Sequence, residues 1–187
     1  MDQIITWDHE LFLFLNGLGN NTWDGFWLVV TNKFTFVPLY ILLLFIIYRK
    51  MGWGLFLRVV ALAAAMILIS DQATNLFKFG FERLRPCREP MIMDQMRMVA
   101  DYCGLYGFFS AHASNSMATA VFVGLLLRPH FNWLLITLVL WSLIVAYSRI
   151  YVGVHYPTDV ICGLLFGAAT GWIFFKVFEK WFKRLKV

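Results

Sequence analysis

Three short stretches, far apart in the chain, hold the side chains best suited to chemistry. The first is Lys78, followed after six residues by Arg85-Pro86. The second is Phe109-Ser110-Ala111-His112, and the third runs Ser148-Arg149, then His155, then Asp159. Arg and Lys together suit a phosphoryl group, because Arg offers a planar fork to two oxygens and Lys a point charge. His155 is the nucleophile candidate. Tyr156-Pro157 opens a helix with Pro157 at its first position, and Asp159 in the first turn can fold back onto the imidazole. A carboxylate on one ring nitrogen fixes the tautomer and frees the other nitrogen to attack phosphorus. His112 is the general-acid candidate, protonating the leaving oxygen. Lys78, Arg85, Arg149, Ser110 and the Ala111 backbone N–H are placed to bind the phosphate oxygens as charge develops. The start of the helix at Ala111 adds unpaired amides and a positive dipole end. No carboxylate cluster suggests Mg²⁺ and no Cys/His spacing suggests zinc, so neither metal nor cofactor is expected.

The elements that must position these residues are membrane helices. The 187 residues are 60% hydrophobic and 14% charged, against roughly 25% charged in a soluble domain. A helix needs about 20 mostly apolar residues to cross a bilayer. Five stretches qualify: 26–48, 53–78, 110–128, 132–150 and 157–178. Leu11, Phe12, Leu15 and Leu18 precede them at helical spacing in an acidic segment too short to span, which reads as a helix lying in the interface. The expected fold is therefore all-α, a polytopic membrane bundle of about five transmembrane helices plus a short N-terminal amphipathic helix. The length fits one domain, residues 1–187. Residues 1–25 carry Asp2, Asp8, Glu10 and Asp24 but no Lys or Arg, the reverse of a secretory leader.

Charge sets the orientation. Arg49, Lys50, Arg58, Arg128, Lys176, Lys180, Lys183, Arg184 and Lys186 would share one side, with Glu179 as its lone acid. The positive-inside rule makes that side, and the C-terminus, cytoplasmic. The net charge of +5 thus reflects topology and not a nucleic-acid partner. The three chemical clusters border the opposite side, as does the long loop 79–109, whose own Arg83, Arg85, Arg88 and Arg97 demand another reason for being there.

Polar residues inside the spans recur on helical faces: Asp71, Thr74, Asn75 and Lys78 on one, His112, Asn115, Ser116 and Thr119 on another. Asp71, Asn75 and Thr119 read as interhelical hydrogen-bond glue. Gly163, Gly167 and Gly171 form a doubled GxxxG that allows close helix approach, either within the bundle or in a homodimer. Cys87 and Cys103 share the outer loop, where an oxidising compartment permits either a disulfide or two free thiols.

These residues resemble the signature of the type 2 phosphatidic acid phosphatase (PAP2) superfamily, whose active site is shared with vanadium haloperoxidases. That signature is K-x6-RP, PSGH and SR-x5-H-x3-D. Its first and third parts match unbroken; in the second, Phe109 stands for the Pro and Ala111 for the Gly. The resemblance implies an all-helical membrane bundle and a phosphohistidine on His155, with His112 as acid and Asp159 as orienter. It also implies phosphate contacts from Lys78, Arg85, Ser110 and Arg149.

The function expected is a lipid phosphatase of the bacterial inner membrane with its site on the periplasmic side. Undecaprenyl diphosphate and lipid A lead as substrates, with phosphatidylglycerol phosphate and phosphatidic acid behind them. The competing readings are a vanadate-dependent haloperoxidase and a small transporter or channel using Asp71, His112 and Lys78 as an ion path.

Overall fold

The computed structural model describes residues 2–182. Lys183, Arg184 and Lys186, assigned to the inner side by charge, lie outside the described residues. Six α-helices follow in order: α1 Asp2–Gly17, α2 Asn21–Thr31, α3 Val37–Phe81, α4 Ala111–Leu127, α5 Leu134–Tyr151 and α6 Pro157–Phe182. Helix α3 is two arms, broken at Gly52, whose φ of 74° and ψ of 169° no helix accommodates. Glycine takes that conformation without a Cβ clash. The arms fold back on each other, so that Leu43 and Ile47 of the first meet Val59 and Met66 of the second in one core cluster. Among the described residues α3, α5 and α6 are long and apolar enough to cross a membrane, and α4 is shorter at 17 residues.

The first expected span, 26–48, is not continuous. Helix α2 ends at Thr31, and α3 begins at Val37. Pro38 explains why the helix cannot run through: its ring would collide with the carbonyl four residues earlier. Asn32 stabilises the break, its side-chain oxygen accepting from the Phe34 N–H at 2.9 Å. Irregular backbone at membrane depth persists only where it is buried in protein or lines a cavity, and this stretch borders the cleft beside His112.

Helix α4 is the centre, packed against α3, α5 and α6. Its sequence is rich in Ala and Ser, so neighbouring backbones approach closely. A Cβ on Gly163, Gly167 or Gly171 would fall 2.7, 2.2 and 2.5 Å from the carbonyls of Ser110, Ser114 and Ala118 respectively. Of the two alternatives for the glycines, the structure shows packing within the bundle: the glycine face of α6 is occupied by α4 of the same chain and not left free for a homodimer. Hydroxyl pairs Ser70–Ser114 (2.7 Å) and Ser116–Ser142 (2.8 Å) tie α4 to α3 and α5. The Asn115 amide donates to Asp71 at 2.7 Å, the interhelical glue that the spacing suggests.

Helix α1 lies across the end of the bundle that carries the chemical clusters. Asp8, Phe12 and Asn16, at i, i+4 and i+8, are buried against the protein, while Ile4, Trp7, Leu11, Phe14 and Leu18 face outward. Asp8 and Asn16 therefore point inward with Phe12, and an apolar stripe stays exposed. This corrects the simple amphipathic picture, in which Leu11, Phe12, Leu15 and Leu18 formed one face. Asn16 stitches α1 to the rest: its amide donates to the Arg97, Ile150 and Tyr151 carbonyls, and its oxygen accepts from the Arg97 N–H at 2.7 Å.

Candidate active site

The chain leaves α5 through a turn that returns it to its own helix. The Val154 and His155 N–H groups both donate to the Arg149 carbonyl, at 3.1 and 3.3 Å. Gly153 makes the turn possible with φ +86°; a Cβ there would strike the Arg97 carbonyl at 2.7 Å. His155 is then 2% exposed, and Asp159 is fully buried one turn into α6. Nδ1 of His155 lies 3.3 Å from Oδ2 of Asp159. The same carboxylate oxygen accepts from the Tyr156 N–H at 3.1 Å. Asp159 is thereby held from two directions, and the acceptor on Nδ1 leaves Nε2 as the free ring nitrogen.

Burial, with the positive potential of Arg85, Arg149 and Lys78, holds the His155 imidazole well below its usual pKa, so it is neutral at pH 7. A neutral ring is the nucleophilic form. Those three cations come from the ends of three elements: Lys78 from the last turn of α3, Arg149 from the last turn of α5, and Arg85 from the loop after α3. Arg85 is fixed by its Nε, which donates to the Tyr106 carbonyl at 2.9 Å, leaving its terminal nitrogens for other partners. One Arg149 terminal nitrogen bonds Thr31 Oγ1 at the end of α2. Among the described residues no carboxylate forms a salt bridge with any of the three.

Ser110 caps α4, accepting from the Ala113 N–H, and its own N–H donates to the Asp159 carbonyl at 3.0 Å. Ala111 and His112 are the first two residues of α4, where amides have no carbonyl a turn earlier to bond. His112 lies in the field of Arg149, His155, Lys78 and Arg85. Phe109, in the place of the motif proline, is 3% exposed and packs on Phe77 and Phe166. A cavity of about 260 Å³ opens beside His112, with Thr31, Lys33, Asp71, Asn115 and Trp141 among its walls. Two buried polar atoms on those walls, Asn115 Oδ1 and Trp141 Nε1, have no protein partner.

Three residues of this end escaped the sequence reading. Gly107 lies directly over the dyad; a Cβ there would sit 3.0 Å from Asp159 Oδ2 and 3.7 Å from His155 Nδ1. A Cβ would be tight against the carboxylate, and a lone glycine between Tyr106 and Phe108 gives no pattern to find. Arg83 donates to Asp159 Oδ1 at 2.8 Å and to Asp8 Oδ2 at 2.5 Å. The sequence alone leaves Arg83 an unexplained cation two residues before Arg85, and Asp8 an acid of the N-terminal segment, with no reason to join them. Cys87 and Cys103 are brought together as a bonded pair, their Cα atoms 6.6 Å apart. With the Leu84–Tyr106 bridge, this pair fastens the loop that carries Arg85.

A bundle of long apolar helices that gathers Lys78, Arg85 and Arg149 toward His155 at one end defines the class: a helical membrane protein with a polar cluster at one end. Residues 55–183 match the PAP2 superfamily, and the chain belongs to it. It is 37% identical over 182 residues to the lipid A 4'-phosphatase of Bacteroides thetaiotaomicron, covering 96% of this chain and 80% of that protein. It is 36% identical to the lipid A 4'-phosphatase of Porphyromonas gingivalis, over 95% of this chain and 75% of that one. Its fold is shared with the first transmembrane PAP2-type phosphatidylglycerolphosphate phosphatase from Bacillus subtilis. The TM-score is 0.77 at 17% identity, covering all of this chain and 90% of that one.

Proposed function

We propose that this protein is a metal-independent membrane phosphatase that removes a terminal phosphate from a lipid, with a lipid A-type glycolipid phosphate as its first substrate. One observation carries the reaction class: Lys78, Arg85 and Arg149, none salt-bridged to an acid among the described residues, act together on an imidazole held by a carboxylate. Partly buried cations without carboxylate partners leave positive charge for an oxyanion to complete. The relatives named above support the choice of lipid.

In the first step Nε2 of His155 attacks phosphorus, forming a P–N bond as the P–O bond to the lipid breaks. His112 gives its proton to the departing oxygen. Asp159 holds the Nδ1–H and stabilises the positive charge that the ring acquires. In the second step His112 takes a proton from water, whose oxygen attacks phosphorus, and the P–N bond breaks to release phosphate and restore His155. Arg85, Arg149, Lys78, Ser110 and the amides at the start of α4 hold the phosphoryl oxygens in both steps. The leaving group lies on the His112 side, where the cavity bordered by Lys33, Asp71 and Asn115 would receive it. The site faces the periplasm of a bacterial inner membrane, with the C-terminus cytoplasmic, on the asymmetry of basic residues.

The test is phosphate release from detergent-solubilised lipid A, undecaprenyl diphosphate, phosphatidylglycerol phosphate and phosphatidic acid, with EDTA present. Turnover in EDTA, inhibition by vanadate and highest kcat/KM on lipid A are expected. A requirement for a divalent metal, or turnover unchanged in His155→Ala, would overturn the mechanism. Preference for undecaprenyl diphosphate would keep the mechanism and reassign the substrate.

A further inference from the structure

We propose that α1 belongs to the catalytic apparatus: Asp8, acting through Arg83, positions the Asp159 carboxylate that holds His155. Asp8 and Arg83 are thus positioning residues, and the inference rests on the histidine-centred reading of the site.

The geometry is a relay of carboxylate, guanidinium and carboxylate. Nη2 of Arg83 donates to Asp8 Oδ2 at 2.5 Å, and Nη1 donates to Asp159 Oδ1 at 2.8 Å and to Thr158 Oγ1 at 2.6 Å. The guanidinium carbon lies 4.1 Å from the Tyr156 ring centroid, so a cation–π contact joins the two acids in holding it. Asp8 makes a second attachment to the same place. It accepts the Thr158 N–H at 3.0 Å and the Thr158 hydroxyl at 2.5 Å. Thr158 immediately precedes Asp159, so Asp8 caps the start of α6 from a different helix. His9 stacks on Tyr156 at 5.0 Å and Phe12 meets the same ring edge-on at 5.5 Å.

Asp159 has two oxygens with separate duties. Oδ2 serves His155 and the Tyr156 amide, and Oδ1 serves Arg83. Turning the carboxylate to satisfy one oxygen necessarily moves the other. The His155–Asp159 contact is already long at 3.3 Å, so a small rotation breaks the alignment that fixes the tautomer. Arg83 prevents that rotation, and Asp8 prevents Arg83 from swinging toward the solvent-exposed rim. The exposed apolar face of α1, with Ile4, Trp7, Leu11 and Phe14, suits a lipid surface, and lipid against it would keep Asp8 pressed to the bundle. The catalytic dyad is in this way tied to the seating of a helix about 150 residues upstream of it.

The experiment compares Asp8→Ala, Asp8→Glu, Arg83→Ala, Arg83→Lys and the double variant Asp8→Ala/Arg83→Ala with wild type in the same detergent. Asp8→Ala and Arg83→Ala should lower kcat by about 10- to 100-fold, within the range for lost orientation of a catalytic group. KM and the inhibition constant of inorganic phosphate should stay within about 3-fold, because the phosphate ligands are untouched. The double variant should be no slower than Arg83→Ala alone. Asp8→Glu should recover part of the rate, whereas Arg83→Lys, which cannot fork between two acids, should not. Unchanged kcat in Asp8→Ala, additive losses in the double variant, or a loss that only tracks the folded fraction would each overturn the proposal.

A second readout needs no turnover. Nitrogen-15 spectra of the histidines should show His155 as a single neutral tautomer with its proton on Nδ1 in wild type, and a mixture in Asp8→Ala. Identical tautomer signals would refute positioning even if no lipid phosphate were hydrolysed. Wild-type inactivity on every lipid, with the tautomer shift present, would instead strike the phosphatase reading and leave this one standing.

Discussion

Two groups of cations occupy the same end of the bundle and behave differently. Arg83 faces Asp8 and Asp159, and Arg97 faces Asp24 at 2.9 Å. Lys78, Arg85 and Arg149, whose charges all act on His155, form no salt bridge among the described residues. The first group is a rim: its charges are neutralised within the chain, and its work is to hold α1, α2 and the loop against α5 and α6. The second group, the pocket of the proposed site, has positive charge left that an arriving anion would balance. A cation count could not separate them, since all five are basic residues at the same end of the bundle. The partner acids separate them.

The largest expected effect lies in the pocket. His155→Ala removes the nucleophile and should abolish turnover, by a factor of ~10⁵ or more by analogy with other covalent catalysts. The variant should still bind phosphate, because Lys78, Arg85 and Arg149 remain. Isothermal titration with inorganic phosphate reads that directly; loss of phosphate binding in this variant would merge the dyad and the cradle into one unit and blur the comparison.

Next comes a matched pair, one cation from each group. Arg149→Ala should cost about 10²–10³ in kcat/KM, as removal of one oxyanion donor does, with Arg149→Lys restoring only part. Arg97→Ala should leave kcat/KM within about 3-fold while lowering the melting temperature in detergent, since it breaks the tie to Asp24 and leaves that carboxylate without its cation. Equal catalytic losses from both substitutions would erase the distinction between rim and pocket.

A smaller effect belongs to the loop. Cys87 and Cys103 enclose a separation of 16 residues, for which cross-linking contributes about 3 kcal/mol by chain-entropy reasoning. Cys87→Ser should lower thermal stability and reduce kcat by no more than about 10-fold, through looser placement of Arg85. Alkylation before and after reductant should differ by two labelled thiols in wild type. Identical labelling would mean that hydrogen bonds alone, such as Arg85 N–H to the Leu105 carbonyl, hold the loop.

The pocket was legible in the sequence and the rim was not, for a physical reason. Lys78, Arg85, Ser110, His112, Arg149, His155 and Asp159 sit at helix ends in fixed spacings, and a period of 3.6 residues fixes which of them share a face. Asp8 reaches Arg83 across a tertiary fold, and no local rule couples residues 75 apart. The helices were legible where apolar runs were long. They were misread at 26–48, where Phe34, Phe36 and Val37 continue the hydropathy across a break that Pro38 and Asn32 impose. Glycine was ambiguous in the same way: the doubled GxxxG marks a close approach, but only the packing of Gly167 on Ser114 says which helix approaches.

The least of the expected effects concerns pH and sharpens the pocket side of the comparison. His155 is neutral because burial and the cations Arg85 (loop), Arg149 (α5) and Lys78 (α3) oppose its protonation; Asp159 (α6) and the Gly107 backbone do not outweigh them. Its folded pKa therefore lies below the value near 6.5 of the unfolded chain. As pH falls below 6.5 the unfolded state binds a proton that the folded state refuses, so stability is present above that pH and declines beneath it. The decline from this single group cannot exceed about 1.4 kcal/mol per pH unit. Apparent melting temperatures in detergent should fall from pH 7 to pH 5, and the fall should be shallower in His155→Gln, which carries no titrating ring. Added inorganic phosphate should flatten the wild-type curve as well, because an anion among Lys78, Arg85 and Arg149 lowers the cost of a protonated ring. A slope equal in wild type and His155→Gln would show that the imidazole is not held neutral, and with it the unpaired cations would lose their claim to face His155.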